Sequence, residues 1–269
     1  MLDSTNGQRL ASMARQERRT PPPSASTSAG DLALVRPVRN LLLAALSPRE
    51  LAELWPSLEQ VTLEVRDSVF EAELPIRHVY FPETAVVSFV SELREGGTIE
   101  VGTAGCEGMA GLPVFLGEDR ATVRAFIQIP GTVLRMDAER FVGLSSVPGA
   151  FHQTMLRYTL AFLTQVAQTA ACNGAHLVEQ RCARWLLLTH DRVDGDELAL
   201  THEFLAAMLG VRRAGVTIAM HALQDARLVR QARGRVVIVD RVGLERASCE
   251  CYRTVRAHSE RLLGRASTA

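Results

Sequence analysis

The chain has 269 residues, 47% hydrophobic, 22% charged and 5% aromatic, a globular composition that excludes a fibrous or wholly disordered protein. Thirty acidic residues balance thirty basic ones, all Arg, yet residues 31–180 hold eleven Arg against eighteen acids and residues 181–269 fifteen against ten, which directs any polyanion to the C-terminal end. No run of about 18 apolar residues is present to span a bilayer and the N-terminus lacks the apolar core of a signal peptide, so a soluble, cytoplasmic chain without a membrane partner is expected.

Residues 1–30 carry Arg15, Arg18 and Arg19 ahead of a Pro-, Ser- and Thr-rich run from Thr20 to Gly30. That composition buries too little apolar surface to offset its ordering entropy, and a disordered tail is predicted. Within the next unit, residues 31–147, Leu42, Leu46, Leu51, Leu54 and Leu58 fall at near-helical spacing, with Ser47 as an N-cap and Pro48 after it, predicting a short pair of helices. Short β-type runs follow at 61–65, 78–81, 85–90, 98–101, 124–129 and 132–136, separated by Gly and Pro turns. They predict an antiparallel β-barrel or jelly-roll.

A helix is predicted next, over residues 148–175, with Asn173-Gly174 ending it. Phe151, Met155, Tyr158 and Phe162 open one apolar row; Leu156, Leu160, Leu163, Ala167 and Ala170 form another. A helix apolar on two faces needs two partners, here the β domain and a second copy of the chain, with burial inside one monomer as the alternative. The first row is taken as the dimerisation face of a homodimer.

Residues 176–243 read as a winged helix-turn-helix. A helix over 176–190 leads to a polar turn, Thr201 caps a helix, Gly210 breaks it, and a second helix runs over 212–225 before a β-hairpin turning at 231–234. With Val216, Ala219, Met220 and Leu223 inward, the second helix presents Arg212, Arg213, Ala214, Thr217, Ile218 and His221 outward. Such a helix enters the DNA major groove, where Arg bonds guanine bidentately, and Arg233 and Arg235 in the wing reach phosphate. A packed helical hairpin of an enzyme is the bland reading of the same spacing. Residues 244–269 form a helical extension.

The order of these elements over residues 38–240 resembles the Crp/Fnr family of bacterial transcription regulators. The most specific stretch is Leu200–Val229, with its threonine cap (Thr201), central glycine (Gly210), arginine after the turn (Arg213), valine in the second helix (Val216) and closing Leu228-Val229. Two departures stand out: Ala214 where many members carry Glu, and Ile218 where they carry a second Arg. The resemblance implies an α+β chain that is a dimeric DNA-binding regulator, with double-stranded DNA of palindromic sequence and RNA polymerase as partners.

It also implies a cyclic-nucleotide-like site in the β domain, for which the chain offers Gly108, Met109, Gly111, Arg120 and Thr122. Arg120 and Thr122 keep the phosphate half, but Met109 stands where a ribose-binding carboxylate is expected, and Glu107 lies two residues earlier. A cyclic nucleotide is therefore a doubtful ligand, and the effector is left unassigned.

The five cysteines, Cys106, Cys172, Cys182, Cys249 and Cys251, are odd in number and scattered, unlike a secreted disulfide framework. None precedes Cys106, so the N-terminal iron-sulfur cluster of oxygen-sensing relatives is not expected. Cys249-Glu-Cys251 with His258, and Cys172 with His176, are each too few for a four-ligand zinc site, and no metal site is expected. Cys106 is a candidate redox thiol. A cupin-like enzyme is the main rival, but His78 is the only His between residues 31 and 150, and those enzymes need two or three. A non-DNA-binding interaction protein is the third possibility.

Overall fold

In the computed structural model, which describes residues 38–94 and 96–264, Asn40 caps α1 (Leu41–Ala44) and its amide donates to the carbonyls of Pro82 and Gly108, tying the helix to the β domain. Ser47 caps α2 (Pro48–Leu54) in a reciprocal capping box with Glu50. The tail expected over residues 1–30 lies outside the described residues.

Seven strands follow: β1 (Glu59–Leu63), β2 (Ser68–Phe70), β3 (His78–Pro82), β4 (Val86–Glu92), β5 (Thr98–Ala104), β6 (Arg124–Ile129) and β7 (Gly131–Asp137). They pair antiparallel in two sheets, β1-β7-β3 and β2-β6-β4-β5, which share one core through residues such as Phe81, Val133, Phe89 and Ile127. Helix α3 (Leu112–Phe115) interrupts the strands, and α4 (Ala138–Ser145), which the sequence reading did not anticipate, follows them.

Strand β4 is buried from Val86 to Val90, and the reason is two-sided covering. Val87 and Phe89 fill the β core, while Val90 joins the core of the C-terminal domain and the Ser88 hydroxyl meets Met208 Sδ at 3.5 Å. A strand covered on both faces loses the apolar-polar alternation of a surface strand.

The long helix α5 spans Ala150–Ala175. It passes through the expected stop at Asn173-Gly174: Gly174 keeps a negative φ, and the Asn173 side-chain Oδ1 accepts from the Arg181 guanidinium. After it come α6 (Val178–His190), β8 (Glu197–Ala199), α7 (His202–Leu209), α8 (Arg213–Asp225), β9 (Val229–Ala232) and β10 (Arg235–Ile238). The three strands form a sheet ordered β8-β10-β9; of β8 the sequence reading placed only Glu197, at the end of the polar turn.

The C-terminal extension is two helices, α9 (Arg241–Ala247) and α10 (Cys251–Leu263). Helix α10 returns along α5: Cys251 lies beside Gln168 near the end of α5, and Leu263 lines a cavity with Thr154 near its start. No helix among the described residues is long and apolar enough to cross a membrane.

Candidate nucleic-acid interface

The helix pair is built from a small number of local requirements. The Thr201 hydroxyl accepts from the Phe204 amide and starts α7. Gly210 ends it with φ of +62°, and a Cβ there would sit 2.7 Å from Ile99 of β5, so both backbone conformation and the neighbouring strand demand glycine. Val216, Ala219, Met220 and Leu223 then bury one face of α8.

The opposite face is open. Arg212, Arg213, Ala214, Ile218 and His221 are exposed, and Ile218 retains 72% of its accessible surface. The first turn of α8 contains no acid, so the partial positive charge of its N-terminus adds to the two guanidinium groups. Arg213 lies 3.9 Å from Glu203, a loose contact between two exposed side chains.

Thr217 is half-buried, and its hydroxyl donates to the Arg213 carbonyl. Arg233 is exposed at the wing turn, and Arg235 pairs with Glu197 at 2.8 Å on the surface. Thr201, His202, Arg213, Gly234 and Arg235 line a cleft of about 490 Å³ between α7, α8 and the wing.

His202 escaped the sequence reading. Its Nδ1 lies 3.1 Å from the Thr217 hydroxyl and its Nε2 2.6 Å from Gln231 Oε1, so one imidazole joins α7, α8 and the wing. The partners stand 15 and 29 residues away, beyond any local spacing signal.

The DNA-reading candidates thus share one surface, but the dimerisation candidates do not face outward. Phe151 packs on Phe141, Met155 is fully buried, the Tyr158 hydroxyl donates to the Met109 carbonyl at 2.7 Å, and Phe162 stacks edge-on against Phe89. Phe151, Met155 and Tyr158 are buried against the chain's own β domain, and Phe162 is half-buried beside it. The other row is open instead, with Leu156, Leu160 and Leu163 exposed at 44%, 49% and 61%.

The five effector candidates are divided between the buried glycine loop and the surface. A Cβ on Gly108 would stand 2.7 Å from the Tyr158 ring, and Met109 is fully buried, so the glycine loop lies directly against α5. Gly111, at φ +104°, is held against Val79. Arg120 is spent at the surface on the Glu73 carbonyl and Asp119, and Thr122 is exposed. Glu107 turns away from the β core to pair with Arg192 at 2.8 Å, both side chains largely buried. Burial pushes the Cys106 thiol up to about 11, so this cysteine is a weak nucleophile at neutral pH.

A second contact between the domains centres on Glu100 of β5. Its carboxylate accepts from the Ser88 hydroxyl at 2.5 Å and from the Trp185 indole N–H of α6 at 2.8 Å. Burial is the main cause that lifts its pKa to about 7, against the two hydrogen bonds and the more distant Arg192 and Arg184.

The two short Cys/His spacings, each too few for a metal site by itself, meet in the fold. The fold brings Cys172 and His176 together with Cys249 and Cys251, because α10 runs back along α5; His258 instead lies beside Arg261. Each half of this quartet was visible as a short spacing, but the pairing of the halves was not.

Residues 180–247 match the family model of the Crp-like helix-turn-helix domain. Among solved structures, the chain is similar to a Crp/Fnr-family protein from Eubacterium rectale at 17% identity and TM-score 0.61, covering 77% of this chain and 96% of that one. It is similar to FixK2 from Bradyrhizobium japonicum at 15% identity and TM-score 0.62, covering 71% and 98%. The c-di-GMP-responsive regulator CLP from Xanthomonas campestris matches at 18% identity and TM-score 0.57, covering 71% and 99%. No curated protein matches the sequence.

Proposed function

We propose that this chain, a transcription regulator of the Crp/Fnr type with a Crp-like helix-turn-helix domain, binds a palindromic operator in double-stranded DNA as a homodimer, under control of a signal at its β domain. The observation that carries the reading is the open face of α8, with Arg212 and Arg213 at its N-terminus and the wing arginines Arg233 and Arg235 beside it. Arginines at the groove-facing end of a recognition helix read guanine edges, and wing arginines hold phosphates. Ile218 and Ala214 supply apolar contacts suited to thymine methyl groups.

Dimerisation is supported by the open row of α5. Leu156, Leu160, Leu163, Ala167 and Ala170 alternate in steps of four and three, the spacing with which two helices form a left-handed coiled coil. Two-fold symmetry then sets two copies of α8 about 34 Å apart, in successive major grooves. Control by the β domain is supported by the glycine loop, which touches Tyr158 of α5 through Gly108 and Arg192 of the DNA-binding domain through Glu107. A signal acts by favouring the arrangement competent for DNA over the other. The Crp-like helix-turn-helix match over residues 180–247 and the likeness in fold support a regulator over the enzyme reading.

The reading is tested by measuring duplex-DNA affinity against salt for the wild type and Arg213→Ala. Arg213→Ala is expected to weaken binding by about 10-fold or more, and to lower the salt slope by about one if it meets a phosphate. Affinity and slope both unchanged would take Arg213 out of the interface. No duplex binding at low salt would overturn the DNA-binding function and favour an interaction protein.

A further inference from the structure

Three buried thiols and one imidazole gather where the C-terminal extension meets the long helix. Cys172, Cys249 and Cys251 are each at most 2% exposed and form a cluster separate from the two apolar cores. With His176, their donor atoms all lie within 4.8 Å of one another. Cys172 Sγ stands 3.5 Å from Cys249 Sγ, and Cys251 Sγ stands 3.5 Å from His176 Nδ1. A disulfide bond is about 2.05 Å long, so these are separate sulfurs.

We propose that Cys172, His176, Cys249 and Cys251 form a tetrahedral site for a single thiophilic divalent cation, zinc by preference. Zinc–sulfur bonds of about 2.3 Å at tetrahedral angles set neighbouring sulfurs about 3.8 Å apart, close to the spacing seen here. Three thiolates and an imidazole select zinc over magnesium or calcium, which take oxygen donors. Donor atoms this close converge on one ion.

The surroundings are those of a metal site as well. The Nε2 of His176 lies 3.3 Å from Glu250 Oε1, which leaves Nδ1 turned to the sulfurs, the carboxylate–histidine arrangement that orients metal-binding imidazoles. Gln168 Nε2 donates to Cys251 Sγ at 3.0 Å. Two ligands come from the end of α5 and two from the segment that opens α10, so the ion clamps the C-terminal extension to the long helix. The adjacent Arg181 joins Asn173 of α5 to the Leu209 carbonyl of α7, placing the clamp at the junction that carries the DNA-binding domain.

The test uses the full chain, with thiols reduced and metal removed, titrated with cobalt(II) and then zinc. Saturation is expected at one cobalt per chain, with thiolate-to-cobalt charge transfer and the intense visible bands of tetrahedral coordination, and zinc should displace it. Cys249→Ser and Cys251→Ser should abolish the charge-transfer band, and Cys182→Ser should leave it. On the wild type, zinc should protect Cys172, Cys249 and Cys251 from alkylation, leaving Cys182 unchanged. A reduced chain without the thiolate band, a band that survives Cys249→Ser and Cys251→Ser, or alkylation indifferent to zinc would each overturn the site.

Discussion

Glu100 is buried, and its partners sit on two domains: Ser88 on β4 and Trp185 on α6. A carboxyl group whose folded-state pKa is about 7, against an ordinary 4.5, holds its proton more tightly folded than unfolded. The stability it contributes is therefore full below about pH 4.5 and lost as pH rises through 7, on the order of 3 kcal/mol in all. Glu100→Gln keeps an acceptor for the indole and removes the titration. Thermal unfolding from about pH 5 to about pH 8 should show a falling midpoint in the wild type and a flatter profile in Glu100→Gln. Parallel profiles would contradict the burial argument. Little of this was legible beforehand, since Glu100 and Trp185 are 85 residues apart. The exposure of Arg212, Arg213 and Ile218 was legible, because the inward positions of α8 repeat at helical spacing and leave only one outer face.

At the scale of elements, α5 is the most informative case. Its two apolar rows could be counted in sequence, but which row met the β domain could not, since both offer large side chains at similar spacing. Tyr158 decides the matter through its bond to the Met109 carbonyl, together with the close approach of Gly108 to its ring. The rows consequently respond to substitution in different ways. Met155→Ala should destabilise each chain by about 2–5 kcal/mol by opening a cavity in a sealed core. Leu160→Asp, on the open row, should leave the folded chain nearly as stable and shift sedimentation from dimer to monomer. A monomeric wild type, or a dimer untouched by Leu160→Asp, would remove the helix-pair interface. Eight strands were visible from their short apolar runs and turn residues, six in the β domain and two in the wing hairpin, whereas β2 and β8, at three residues each, are too brief for any periodicity. Helix α4 was missed in the stretch just before Pro148.

Across the whole molecule, the DNA-binding domain is docked on the β domain through polar and apolar contacts. Gln128 bonds Thr189, Phe126 meets Phe204 edge-on, Glu107 pairs with Arg192 and Arg39 pairs with Asp194. Of these, Glu107 with Arg192 ties the glycine loop to the turn that follows α6. The charge division along the sequence anticipated two units, but the docking between them depends on pairs such as Arg39 with Asp194, 155 residues apart. The metal quartet follows the same logic: two short spacings were legible, and only the return of α10 along α5 joins them. The central claim, a symmetric dimer reading DNA with two copies of α8, is tested most directly by selecting bound sequences from random duplex DNA with the purified full chain. The account predicts an enriched two-fold symmetric sequence with half-sites about one helical turn apart. An enriched sequence without two-fold symmetry, or no enrichment with protein that still binds duplex DNA, would contradict it.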